Sequence, residues 1–155
     1  ETLEENRNFA IESPESGVQI LPVVYFSDLT GSYAYTDWAD AFEVNPGGPD
    51  EDPDGDGFKN IEEFLFGTSP HERGASLITM ERTNSTLVFT WLEREDPSYE
   101  FQHSQTLAQG SWDTAPETVE EAADQSGVPE NYIRKEVTVS TTGPAARFFR
   151  VAATE

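Results

Sequence analysis

The residues best suited to chemistry lie in one run, Asp52-Pro-Asp54-Gly-Asp56-Gly57-Phe58-Lys59-Asn60-Ile61-Glu62-Glu63. Carboxylates at its first, third and fifth positions, Gly at the sixth and Glu at the twelfth match the ligand pattern of a twelve-residue calcium-binding loop. Ca2+ takes about six to eight hard oxygens, and alternate residues of a tight loop turn their side chains inward together. In this register Asp52, Asp54 and Asp56 supply side-chain oxygens and Phe58 its backbone carbonyl. Asn60 acts directly or through water, Glu63 closes the shell bidentately, and Gly57 permits the turn. Only one register works, because a start at Asp50 puts Ile61 at the twelfth position and a start at Asp54 puts Phe58 at the fifth. Mg2+ fits less well, since it keeps several waters in an octahedral shell. Without metal, four carboxylates crowd together with Lys59 as the only nearby base, so one Ca2+ is expected to be part of the fold. A merely solvated acidic loop would explain the acidity, but not Gly57 and Glu63 at their places.

Such a loop needs a helix on either side. Trp38, Ala41 and Phe42 fall on one helix face, which predicts a helix over 37–44 with Thr36 as N-cap, stopped by Asn45-Pro-Gly-Gly-Pro49. Ile61, Phe64 and Leu65 predict a second helix over 60–66, with Glu62 and Glu63 in its first turn and Gly67 and Pro70 ending it. Trp38 and Phe42 are expected to cover that second helix. Thr68–Ser76 is polar, contains Pro and Gly, and reads as a hinge. Beyond it the pattern is β: Leu77–Arg82, Thr86–Leu92, Ser98–His103, Tyr132–Ser140 and Ala146–Ala152 are short runs of β-branched and aromatic residues. Residues 115–131 read as a long acidic loop or one helical turn. Before the helices, residues 1–17 read as a loose arm and Val18–Phe26 as a β-segment in which Pro22 favours an edge or a bulge. The expected fold is mainly β with a small α unit: an antiparallel β-sandwich over 71–155, preceded by a helix–calcium loop–helix over 36–70 and an arm and strand over 1–35.

Composition narrows the partners. The 155 residues carry 30 acids against 9 bases, a formal charge of −21, which repels nucleic acid phosphates and anionic membranes. The acid is concentrated ahead of the hinge, with 17 acids and 3 bases up to Arg73 and 13 acids and 6 bases after it. Ten Phe, five Tyr and three Trp argue for a packed interior despite the charge. The lack of Cys excludes disulfides, thiolate metal sites and thiol nucleophiles. No apolar run reaches the roughly 18 residues of a membrane-spanning helix, so no membrane insertion is expected. A chain that starts at Glu1 without Met reads as a processed or excised chain.

The unit Asp37-Trp38-Ala-Asp-Ala-Phe42 followed by Asp52-Pro-Asp-Gly-Asp-Gly-Phe-Lys-Asn60-Ile-Glu-Glu-Phe64-Leu-Phe-Gly-Thr-Ser-Pro70 resembles a known calcium module. This is the dockerin-type or thrombospondin type 3-like, EF-hand-like module found near the C-termini of large secreted bacterial proteins. Ser104-Gln-Thr-Leu107, Gly110-Ser-Trp112 and Arg147-Phe-Phe-Arg-Val151 are similar to the small β domain that often follows it there. The resemblance spans residues 36–152, specific at the calcium loop and diffuse in the β region. Residues 124–131 do not make the second loop of a cohesin-binding dockerin. What the resemblance implies is an extracellular or cell-surface location and a calcium-binding accessory role.

Trp91, Tyr99 and Trp112, with Phe101, are candidates for stacking on a pyranose. Alternation, however, puts Phe89 with Trp91 and Tyr99 with Phe101 on single strand faces, one of which must be core. Trp112, in a Gly-Ser-Trp turn, is the best of them for exposure. Neither His71 nor His103 has a recognisable spacing to a Ser or carboxylate, so no catalytic residue is assigned and the chain is not expected to be an enzyme. Arg134, Lys135, Arg147 and Arg150 form the main basic cluster, expected to pair internally rather than meet an anionic polysaccharide. The leading expectation is a non-catalytic, extracellular calcium-binding module of a larger secreted protein, for attachment or spacing, with calcium and polysaccharide as partners. The alternative is a structural subunit of a surface or filamentous assembly that adds Val18–Phe26 as a strand to a neighbouring protein chain.

Overall fold

A computed structural model of the chain describes residues 11–12, 18–20, 33–74, 76–108, 110–142 and 147–154. Within them the protein is mainly β, with two short helices, α1 (Tyr33–Asp40) and α2 (Asn60–Phe66). The first sheet joins β1 (Ile11–Glu12), β2 (Val18–Ile20), β5 (Ser98–Ser104), β6 (Asp113–Thr114) and β9 (Arg147–Thr154) in the order β1-β2-β9-β5-β6. The second joins β3 (Ile78–Thr83), β4 (Thr86–Arg94), β7 (Glu120–Glu121) and β8 (Tyr132–Ser140) in the order β3-β4-β8-β7. No described helix is long and apolar enough to cross a membrane.

Among the described residues every strand pair is antiparallel except one. β2 runs parallel to β9, with Val18 opposite Arg147 and Ile20 opposite Phe149. A parallel neighbour needs a long crossover, and α1, α2 and β3 to β8 lie between these two strands in sequence. Only Val18–Ile20 of the expected Val18–Phe26 strand is described; residues 21–26, and the arm apart from Ile11–Glu12, lie outside the described residues. The 115–131 segment is not wholly loop, because Glu120 and Glu121 pair with Glu136 and Lys135 of β8.

The two sheets meet through aromatic rings. Phe89 on β4 lies 5.5 Å from Phe101 on β5 and 5.3 Å from Phe149 on β9, and Trp91 stacks on Phe101 at 5.7 Å. α2 adds Leu65 and Phe66 to this same core. A helix leaves its last carbonyls without internal donors, and here tyrosines of the sheets supply them. The Tyr99 hydroxyl donates to the Leu65 carbonyl at 2.7 Å and the Tyr132 hydroxyl to that of Phe64. Gly67 then ends α2 at φ 68°, where a Cβ would come within 2.8 Å of Leu92 Cδ1, so glycine suits both the turn and the close approach to β4.

Two expectations need correction. α1 begins at Tyr33 rather than near 37, and Thr36 lies inside it rather than capping it, because the apolar stripe starts one turn earlier at Tyr35. Tyr35 packs 5.5 Å from Trp38 and 5.6 Å from Phe64, and its hydroxyl donates to the Gly47 carbonyl. The segment expected as a hinge is tied down. The Thr68 hydroxyl donates to Glu63, His71 Nε2 lies 2.8 Å from the Val44 carbonyl, Arg73 Nε donates to the Asp54 carbonyl, and Gly74 N–H donates to Asp56.

At the far end of the sheets, Arg147 meets Glu117 at 2.9 Å, over the Phe149 ring and beside His103 Nδ1. Both partners are about six-sevenths buried, at 16% and 15% side-chain exposure. Removing one partner strands the other charge, so Arg147→Met should cost about 3 kcal/mol. In urea denaturation, Arg147→Met combined with Glu117→Leu should recover much of that loss; an unchanged midpoint in the single variant would show that the pair contributes nothing.

Candidate metal site

Local chemistry folds the 52–58 loop. Asp52 accepts from the N–H groups of Gly55 (2.8 Å) and Gly57 (3.1 Å), Asp54 from that of Asp56 (3.0 Å), and Asp56 from that of Phe58 (2.9 Å). These are the side-chain-to-backbone bonds with which Asp organises turns. Gly55 and Gly57 sit at φ 71° and 103°, the left-handed region that favours glycine. The loop thereby brings oxygens of Asp52, Asp54 and Asp56 within 4.8 Å of one another.

Glu63, on α2, feels the charges of Asp54, Asp56 and Asp52 but lies outside the group of oxygens within 4.8 Å of one another. It is 1% exposed, its Oε1 accepts from Thr68 at 3.3 Å, and its Oε2 is buried without a hydrogen-bond partner. Asp54 Oδ2 is also buried and unpartnered. Burial first, and then the Asp54, Asp56 and Asp52 charges, push the Glu63 carboxyl up to about 8. Buried carboxylate oxygens are almost always satisfied, and none of the ion pairs among the described residues reaches these two. Lys59 reaches Asp50 at 3.0 Å, and Arg73 bonds the Asp54 backbone carbonyl rather than a carboxylate. A hard divalent cation is the group that fits this donor set.

The remaining expected ligands are placed less directly. Phe58 follows Asp56 with its side chain half-buried against the core. Asn60 is fully buried, and its Nδ2 donates to the Pro46 and Gly48 carbonyls at 2.9 Å each, so its amide holds the turn before the loop; its Oδ1 is unpartnered. Sequence reasoning missed the cover formed by Thr68, Arg73 and Gly74. The one local signal for it was Thr68 immediately after the helix-ending Gly67.

The aromatic candidates do not share a surface. Trp91 is 3% exposed inside the ring cluster between the sheets, so it cannot stack on a sugar. Tyr99 is half-buried, packs 5.8 Å from Phe66 and spends its hydroxyl on the Leu65 carbonyl. Trp112 is half-buried with the Arg150 guanidinium 4.4 Å over its ring, which covers one of its faces. His71 packs on Phe42 at 5.6 Å, and His103 adjoins Arg147. Of the basic cluster, Arg147 pairs with Glu117 and Lys135 with Glu121. Compared with known proteins, the chain matches no family model, no curated protein and no solved structure.

Proposed function

We propose that this chain is a calcium-stabilised, non-catalytic module of a larger secreted protein, working in attachment or spacing outside the cell. In this reading the two sheets form a β-sandwich, and α1, the acidic loop and α2 form its helix–calcium loop–helix. The observation that carries it is the buried, unpartnered Glu63 Oε2 beside three converging aspartates, since a fold that merely displayed acid would leave those oxygens in water. Ca2+ is favoured over Mg2+ by the number of hard oxygens on offer. After chelation, isothermal titration with CaCl2 should give one site, and Asp54→Ala combined with Glu63→Ala should abolish it. A flat titration of the unaltered chain would end the calcium reading.

The second reading, a subunit that lends its N-terminal strand to a neighbour, is less favoured because Val18–Ile20 pairs with the chain's own β9. Deleting residues 1–26 should therefore leave a less stable monomer, measured by thermal melting and light scattering. A stable monomer after deletion, with loss of a polymer formed by the intact chain, would reverse the preference.

A further inference from the structure

The chain that leaves α2 is exposed over His71–Gly74, yet it is fastened at both ends. His71 Nε2 lies 2.8 Å from the Val44 carbonyl and its ring packs 5.6 Å from Phe42, which ties the segment to the exit of α1. Arg73 Nε then donates to the Asp54 carbonyl, and the Gly74 N–H donates to Asp56 Oδ2 at 3.2 Å. A Cβ on Gly55 would come within 2.8 Å of Arg73 Nη2, so the guanidinium lies against the bare backbone of the acidic turn. Residues 71–74 thus cross from α1 to the acidic loop as a strap.

An arginine beside several carboxylates gains most from a charge-assisted bond to one of them. Arg73 makes none: no ion pair among the described residues includes it, and its bond goes to a backbone carbonyl. That bond fixes the peptide plane between Asp54 and Gly55. Gly74 holds the second oxygen of Asp56, whose Oδ1 already accepts from the Phe58 N–H at 2.9 Å. Each of these oxygens keeps a lone pair for a further partner. Groups that orient ligating carboxylates from outside typically change metal affinity by about 10- to 100-fold. The two roles open to Arg73 differ in sign. As a bare positive charge it would oppose a bound cation, and its removal would tighten binding. As part of a strap it orders the ligands, and its removal would loosen binding.

We propose that residues 71–74 are a retaining strap for the cation site, in which Arg73 and Gly74 are positioning residues that hold Asp54 and Asp56 in their liganding arrangement and slow the release of calcium. The proposal rests on the calcium reading of the site and adds to it a control on residence time from outside the twelve-residue loop.

The test uses the full chain, with Kd from calorimetry with CaCl2 and release rates from stopped-flow mixing of the calcium-loaded chain with a fluorescent chelator. Arg73→Ala should weaken binding about tenfold, mostly through faster release. Arg73→Gln places an amide nitrogen where Arg73 Nε stood and drops the charge, so its affinity should equal or exceed that of the unaltered chain. Gly74 has φ 88° and nothing within 4 Å of an added Cβ, so Gly74→Ala clashes with nothing but strains the backbone that aims the N–H; it should weaken binding about fivefold. A merely structural contact would lower the urea midpoint in chelator and leave the release rate unchanged. Unchanged or tighter binding in Arg73→Ala, or release from Arg73→Gln as fast as from Arg73→Ala, would overturn the strap while the unaltered chain still showed its one calcium site. A flat titration of the unaltered chain would instead end the calcium reading, and the strap with it.

Discussion

On the proposed calcium reading, chelation at pH 8 is expected to lower the protein's melting temperature by about 8–16 °C. A ligand at a thousandfold excess over Kd stabilises by about 4 kcal/mol, and 1 kcal/mol moves the midpoint of a chain of this size by about 2–4 °C. The structural reason is a set of carboxylates with two buried oxygens, Asp54 Oδ2 and Glu63 Oε2, that have no hydrogen-bond partner among the described residues. Asp52, Asp54 and Asp56 converge within 4.8 Å, and Glu63 on α2 is buried with one oxygen unbonded.

The same set fixes how this effect depends on pH. In the metal-free protein the Glu63 carboxyl is pushed up to about 8 from an ordinary 4.5, so the folded state holds a proton that the unfolded chain releases. Its contribution to metal-free stability is fully present below about pH 4.5 and is lost as pH rises towards 8. Calcium must displace that proton, so the calcium-dependent gain grows over the same window. Scanning calorimetry with EDTA and with millimolar CaCl2, at pH 5, 6, 7 and 8, checks both trends. Equal melting temperatures with and without calcium at pH 8 would refute the role given to the site. At pH 7, titrations in buffers of different ionisation enthalpy should show about one proton released per calcium bound.

Phe89→Ala is expected to destabilise the protein by about 3–5 kcal/mol, as removal of a fully buried ring does. Phe89 is 1% exposed and touches Phe101 and Phe149 across the gap between the sheets. Because Leu65 and Phe66 of α2 belong to the same core, the loss should not be confined to the strands. Urea unfolding in calcium, followed by far-UV dichroism and by tryptophan fluorescence, should shift as one coincident transition. Two separated transitions, with only the later one moved by Phe89→Ala, would show that the helical unit unfolds on its own.

Much of the site was legible because its parts lie within one or two turns of each other. Asp52, Asp54 and Asp56 converge through bonds to their own loop, Gly57 takes the left-handed turn that its position demanded, and α2 spans the 60–66 read from its apolar face. Strand positions were legible for the same reason, since two-residue alternation is a local property. What spacing could not determine was which neighbours lie across a gap. Trp91 and Trp112 are both plausible surface aromatics in sequence, yet Trp91 is sealed by Phe101 of the opposite sheet while Trp112 lies under Arg150. The 68–74 segment has a hinge's composition, but its bonds run to Val44, Asp54, Asp56 and Glu63, and these hold it. The parallel partner of β2 was equally hidden, 127 or more residues away in the chain. Local sequence sets backbone turns and side-chain periodicity. The burial of rings such as Phe89 and Trp91 depends on groups remote in sequence that the folded sheets bring within van der Waals distance.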